Sequence, residues 1–187
     1  MAQISTADFK TGMTLNLDEG LFQLVDFQHV KPGKGGAFVR TTLKNSRTGA
    51  VIERTFRAGE RMERAVIDKR EMQYLYHDGD SYVFMDTSSY DQLPVAPTTL
   101  GDATNYLIEQ NTAILLMYGD EIVGVDLPAS VELTIAKTEP GVQGDRVSGA
   151  KKPATLETGL VVNVPLFIEP GERVKVDTRS GDFISRA

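Results

Sequence analysis

Cysteine and tryptophan are both missing from the 187 residues, and histidine occurs only twice, at His29 and His77. Without cysteine there is no disulfide, no thiolate nucleophile and no Cys-ligated zinc. With two imidazoles a metal site must be built from carboxylates, and no carboxylates fall at ligand spacing, so neither metal nor cofactor is expected. No apolar run approaches the roughly 20 residues that cross a bilayer. The opening residues Met-Ala-Gln-Ile-Ser-Thr-Ala-Asp hold neither a basic nor an apolar segment. No signal peptide is therefore expected, and the chain reads as a cytoplasmic protein that does not engage membranes.

What is present is ordinary in amount and uneven in placement. Hydrophobic residues make up 41% and charged residues 25%, the balance of a soluble globular protein. The net charge of −6 argues at first against nucleic acid. Its distribution argues differently. Residues 1–64 carry ten Lys and Arg against seven Asp and Glu, residues 65–128 two against eleven, and residues 129–187 eight against eight. Nucleic acid fits the first and last segments, while the acidic middle suits solvent or a basic protein.

Strand signals dominate. Val131, Leu133 and Ile135 alternate with Glu132 and Thr134, and Val162, Val164, Leu166 and Ile168 repeat with period two. Met72, Tyr74 and Tyr76 do the same, followed by the turn Asp78-Gly79-Asp80 and a partner run from Tyr82 to Met85. Turn punctuation returns at Tyr118-Gly119-Asp120 and at Arg179-Ser180-Gly181-Asp182. One short helix is expected over Asp102 to Gln110, with Asp102 as its N-cap and Tyr106 and Leu107 on one side. The stretch Gly141 to Pro153 has no periodicity and reads as a long exposed loop. Composition shifts near Arg64 and Pro128 divide the chain into 1–64, 65–128 and 129–187. Many short strands in small segments indicate barrels or sandwiches.

The most informative stretch is His29-Val-Lys-Pro-Gly-Lys-Gly-Gly-Ala-Phe38. Lys34 sits among Gly33, Gly35 and Gly36, between two strand-like runs, and Pro32 holds the ascending arm extended. The expectation is a hairpin with one long cationic side chain at its tip. An exposed turn lysine is one reading. A Walker-type phosphate loop fails, because no Ser or Thr follows the lysine and no helix follows the loop. A nucleophilic lysine needs desolvation or a cationic neighbour to lower its pKa, which a glycine-flanked tip in water does not supply.

Beyond the hairpin, three further motifs appear. One is Lys152-Pro153-Ala154 with Gly159, leading into Val162-x-Val164-Pro165-Leu166-x-Ile168-x-x-Gly171. Another is the ending Val176-Asp177-Thr178-Arg179-Ser180-Gly181, and the last is Gly144-Asp145 within the long loop. Together with Lys31-Pro32-Gly33-Lys34-Gly35, they make the chain resemble the bacterial elongation factor P family from end to end. Two positions depart from the family pattern. Gly36 occupies a variable tip position, and Arg146 stands where threonine usually follows Gly-Asp.

The resemblance implies an all-β fold of three small β-barrel domains in an L shape, a KOW/SH3-like barrel (1–64) followed by two OB-folds (65–128 and 129–187). It implies a non-enzymatic, monomeric factor that binds the 70S ribosome between the P and E sites, next to P-site tRNA and ribosomal RNA. Such a factor stimulates peptide-bond formation at consecutive prolines, with Lys34 reaching toward the tRNA CCA end. In many members of the family the matching lysine carries a β-lysyl group added by an enzyme resembling lysyl-tRNA synthetase, while others modify an arginine there or use the lysine unmodified. The resemblance therefore makes Lys34 a candidate modification site. It also implies a contact of Gly144, Asp145 and Arg146 with the E-site mRNA codon. The related factor that carries hypusine lacks the third domain, so residues 129–187 favour the bacterial family. Two other classes compete. A single-strand-binding OB protein needs aromatic platforms and a basic groove, and aromatics are only 7% here. An enzyme needs an assembled site, whereas Asp78, Asp80 and Asp120 fall in turns where aspartate serves conformation.

Overall fold

The computed structural model describes residues 2–141 and 149–187, and it is built almost wholly from strands. The first sheet contains β1 (Ala2–Ser5), β2 (Thr14–Leu17), β3 (Gly20–Val30), β4 (Phe38–Asn45), β5 (Val51–Arg57) and β6 (Arg61–Ala65), in the order β1-β6-β2-β3-β4-β5. The second contains β7 (Asp68–His77), β8 (Tyr82–Asp86), β9 (Gln92–Val95), β10 (Thr112–Tyr118) and β11 (Glu121–Asp126), in the order β11-β10-β7-β8-β9. The third contains β12 (Ser130–Thr138), β13 (Lys151–Leu156), β14 (Val161–Pro165), β15 (Arg173–Asp177) and β16 (Phe183–Arg186), in the order β14-β13-β12-β15-β16. The sheets are curled into half-barrels. By compactness the chain gathers into two units. One holds the first sheet with Val95–Gly101 and Leu115–Gly124; the other holds Met72–Pro94, Asp102–Ile114 and the third sheet.

Alternation sets what each sheet buries. In the first, Leu15, Phe22, Leu24, Val39, Leu43 and Phe56 point into one core with Phe9 and Met62. Thr41 shares that inward face, and its hydroxyl donates to the Arg54 carbonyl at 2.7 Å, so the buried oxygen is satisfied. In the third, Leu133, Ile135, Ala154, Leu156, Val162, Val164, Val174 and Val176 form the core with Ile168 and Tyr106. The alternating runs in the sequence are these inward faces.

Four local readings are revised. The helix begins earlier than expected, as Pro97–Leu100 followed by a 3₁₀ stretch Gly101–Tyr106. Pro97 starts it because a first-turn residue needs no N–H and proline's φ is already helical. Asp102 therefore lies inside the helical run, not at its cap. Tyr76 leaves the buried face: a bulge between Tyr74 and Tyr76 shifts the register against β8, and Tyr76 is exposed while Met72 and Tyr74 are buried. Strand β14 stops at Pro165, although Ile168 in the following turn is still fully buried. The long loop ends sooner than Pro153, since Lys151, Lys152 and Pro153 pair with Pro165, Val164 and Asn163.

Candidate functional site

The hairpin between β3 and β4 is paired up to Val30 opposite Phe38, leaving residues 31–37 as its loop. Residues Lys31 to Gly36 are exposed. Of the three tip glycines only Gly35 adopts a left-handed backbone, at φ 112°. A methyl group built there would lie 3.9 Å from the Pro32 ring, so φ and not space is what calls for glycine at this position. Gly33 and Gly36 have φ outside that region and open space around them. Lys34 makes no ion pair and no hydrogen bond among the described residues. Lys31 is near it in sequence, Arg40 lies on the β4 arm opposite Gln28, and Arg57 lies on the neighbouring strand β5 opposite Phe38. The exposed tip carries two cations, Lys31 and Lys34.

The base of the hairpin is braced. Along β3, Phe22 and Leu24 face inward, and then Val25 and Asp26 are exposed in succession where the pairing with β4 slips by one. That bulge moves the inward face from even to odd positions, so Phe27 and then His29 continue it toward the tip. The rings meet edge to face. Phe9 lies 5.9 Å from Phe56 and 6.0 Å from Phe27, and Phe27 lies 5.7 Å from His29. On the other arm the Ala58 N–H donates to the Ala37 carbonyl at 3.0 Å. A ladder of aromatic contacts thus runs from the buried Phe9 and Phe56 to the exposed His29. Sequence reading missed this ladder, because only the pairing of two strands reveals a bulge.

The C-terminal motifs serve mainly to hold the third sheet. Lys152 is only 7% exposed, and its ammonium donates to the Glu139 carbonyl at 2.6 Å. Its position two before Ala154 and four before Leu156, all inward, is the sequence signal for that burial. Gly141 packs so tightly that an added methyl would lie 2.8 Å from the Leu166 carbonyl oxygen. The Asp177 carboxylate accepts from the N–H groups of Arg179 and Ser180 at 2.7 and 3.0 Å, which holds its pKa below the ordinary value. Asp78 does the same for Ser81 and Asp80, and its pKa is likewise lowered by those backbone bonds. These turn aspartates are structural. Gly144, Asp145 and Arg146 lie outside the described residues.

Among the described residues, no group of three His, Asp or Glu side chains is placed to hold a metal, and no helix is long and apolar enough to cross a membrane. Two open clefts occur in the second unit. One of about 370 Å³ runs beside Tyr106, Leu127 and the Glu132–Arg173 ion pair, and one of about 320 Å³ beside Tyr74, His77 and Tyr82. Neither is lined by hairpin residues.

Three family models match the chain in sequence. They are the elongation factor P KOW-like domain over residues 5–62, the elongation factor P OB domain over 67–125, and the elongation factor P C-terminal domain over 131–186. The chain is 56% identical over 184 residues to elongation factor P of Moorella thermoacetica, covering 98% of this chain and 100% of that one. It is 57% identical over 182 residues to elongation factor P of Frankia casuarinae, covering 97% of each. Among solved structures it is similar to eukaryotic translation initiation factor 5A from Methanococcus jannaschii. That likeness has a TM-score of 0.55 at 24% identity and covers 67% of this chain and 92% of that one, a likeness of fold. With matches on all three segments and relatives of more than half identity over nearly their whole length, the chain belongs to the elongation factor P family of translation elongation factors.

Proposed function

We propose that this elongation factor binds the ribosome between the P and E sites, beside the P-site tRNA, and accelerates peptide-bond formation between consecutive prolines. The observation that carries the proposal is Lys34, a cation with no partner among the described residues, at the exposed tip of a braced hairpin. Proline is a secondary amine with a locked φ, so a proline acceptor and a nascent prolyl chain sample the reactive geometry poorly. A cation projecting from the tip can hydrogen-bond phosphates and hydroxyls of the tRNA CCA end and of ribosomal RNA. Holding that end in a productive pose raises the rate by orientation. Proton transfer by Lys34 is not needed, and the bond-forming chemistry stays with the ribosome.

The proposal extends to the rest of the molecule. Residues 1–64, 65–128 and 129–187 act as its domains, a division supported by family matches that fall inside each segment. The Gly144-Asp145-Arg146 loop contacts the E-site codon, where a guanidinium suits phosphate. Lys34 accepts a β-lysyl group from an enzyme resembling lysyl-tRNA synthetase, which lengthens the arm and adds donors. The intact mass of protein from its native host tests that modification. The factor works in the cytoplasm as a monomer. The function is tested by synthesis of Pro-Pro-Pro on purified ribosomes. Acceleration on that message and none on a proline-free one is expected; equal rates with and without the factor on both would defeat the reading.

A further inference from the structure

Three aromatic rings and two carboxylates line one cleft far along the chain from the hairpin. Tyr74 and His77 belong to β7, and Tyr82 starts β8. The bulge after Tyr74 shifts the register, so His77 and not Tyr76 lies opposite Tyr82. His77 therefore stacks on Tyr82 with 4.3 Å between ring centroids, and Tyr74 tilts against Tyr82 at 5.7 Å. Glu109, in the link from the helical stretch to β10, also lines the cleft, as do Glu157 and Thr158 in the turn between β13 and β14. The Thr158 hydroxyl donates to the Asn105 carbonyl at 2.7 Å and fastens that turn to the helical stretch.

Several acceptors here have capacity left. Tyr74 is only 5% exposed, yet its hydroxyl has no hydrogen-bond partner among the described residues. A hydroxyl on so buried a ring normally finds one. Burial first, and the charge of Glu109 second, raise its pKa, so that carboxylate stands close to it. Glu109 itself makes no ion pair among the described residues. Glu157 accepts from the Thr134 N–H at 2.8 Å through one oxygen, and its other oxygen has no partner among the described residues. No lysine or arginine lines the cleft, and no described cation of the chain lies over its rings.

That chemistry selects a ligand class. Two carboxylates without a basic residue repel phosphate and nucleic-acid backbone. Ring faces beside carboxylates attract an organic cation. A quaternary ammonium would use the rings but has no N–H to give the carboxylates or the hydroxyl. A linear amine with several ammonium groups serves both, since its methylenes lie on rings while its ends donate. The cleft volume of about 320 Å³ falls at the small end of ligand sites. We infer that this cleft binds a free linear polyamine, which donates to Glu109, Glu157 and the Tyr74 hydroxyl and lays its methylenes along His77 and Tyr82. The bound chain ties β7 and β8 to the β13–β14 turn, and this site stands apart from the role of Lys34.

The test is calorimetric titration of the full-length protein with spermidine at about pH 8, where an ordinary imidazole is neutral. Saturable binding with Kd below about 1 mM is expected. Glu109→Gln and Glu157→Gln, which keep an oxygen acceptor, should each weaken it about tenfold. Asp120→Asn, in a turn that does not line the cleft, should leave it unchanged. Spermidine at ten times its Kd should raise the wild-type Tm by about 4 °C. If Glu157→Gln lowers Tm on its own, through the Thr134 bond, Glu109→Gln alone decides. Equal affinity in all variants would show diffuse attraction to an acidic chain and overturn the inference. So would the absence of saturable binding, or an Nα-acetyl-lysine amide that binds as tightly as spermidine, which would make a protein side chain the ligand.

Discussion

Lys152 is nearly out of solvent with its ammonium on one backbone carbonyl, while Lys34 stands exposed with no partner among the described residues, and the sequence around each explains the difference. Lys152 precedes Ala154 and Leu156 on the inward face of β13, so its stem packs in the core and its ammonium must find an oxygen. Lys34 has glycines on both sides and no strand to turn it inward. Replacing Lys152 by alanine removes both stem and donor and should cost about 2 kcal/mol in urea unfolding. Replacement by methionine, which keeps the stem, should cost less. Asp177 gives a second prediction at this scale. Its folded pKa lies below the ordinary 3.8, so its stabilisation is complete above that value and is lost as pH falls through the folded one. Asn45 performs the same turn closure with an amide, so Asp177→Asn should keep the turn at neutral pH. The variant should also show a shallower fall of Tm below about pH 4.

Among the elements, the β3–β4 hairpin depends on a feature that no single strand displays. The bulge at Val25 carries the inward face from Leu24 to Phe27 and so extends the core's aromatic packing toward the tip. Phe27→Ala should therefore loosen the outer arms of the hairpin before it loosens the rest of the sheet. Amide exchange in the paired outer arms, Gln28 to Val30 and Phe38 to Arg40, should quicken by about tenfold, while the Leu43 amide stays protected. Equal acceleration in the outer arms and at Leu43 would show a general loss of stability in place of a lost brace. Strand positions were legible because period-two alternation is local, as at Val131 to Ile135 and Val162 to Val164. The bulges at Val25 and Leu75 were not, because register belongs to a pair of strands. The helix start was missed because its signal, Pro97, lies five residues upstream of the aspartate that looked like a cap. The hairpin and its exposed tip, Lys31 to Gly36, were legible in the sequence; the aromatic ladder beneath was hidden with the bulge.

For the whole molecule, charge is divided unevenly along the chain. The basic first segment carries the hairpin, and the acidic middle carries the cleft beside Tyr74, His77 and Tyr82. That asymmetry was open to reading from composition, but its meaning was not, because composition does not say which charges share a surface or meet a partner. The central claim is that Lys34 acts by positioning tRNA. It is tested most directly by single-round Pro-Pro-Pro synthesis at saturating factor, comparing wild type with Lys34→Ala. The account predicts that the variant still competes with wild type for the ribosome but loses most of the acceleration, roughly 100-fold if the misplacement of the reacting end is of ångström size. A Lys34→Ala variant that binds and accelerates as wild type does would contradict it.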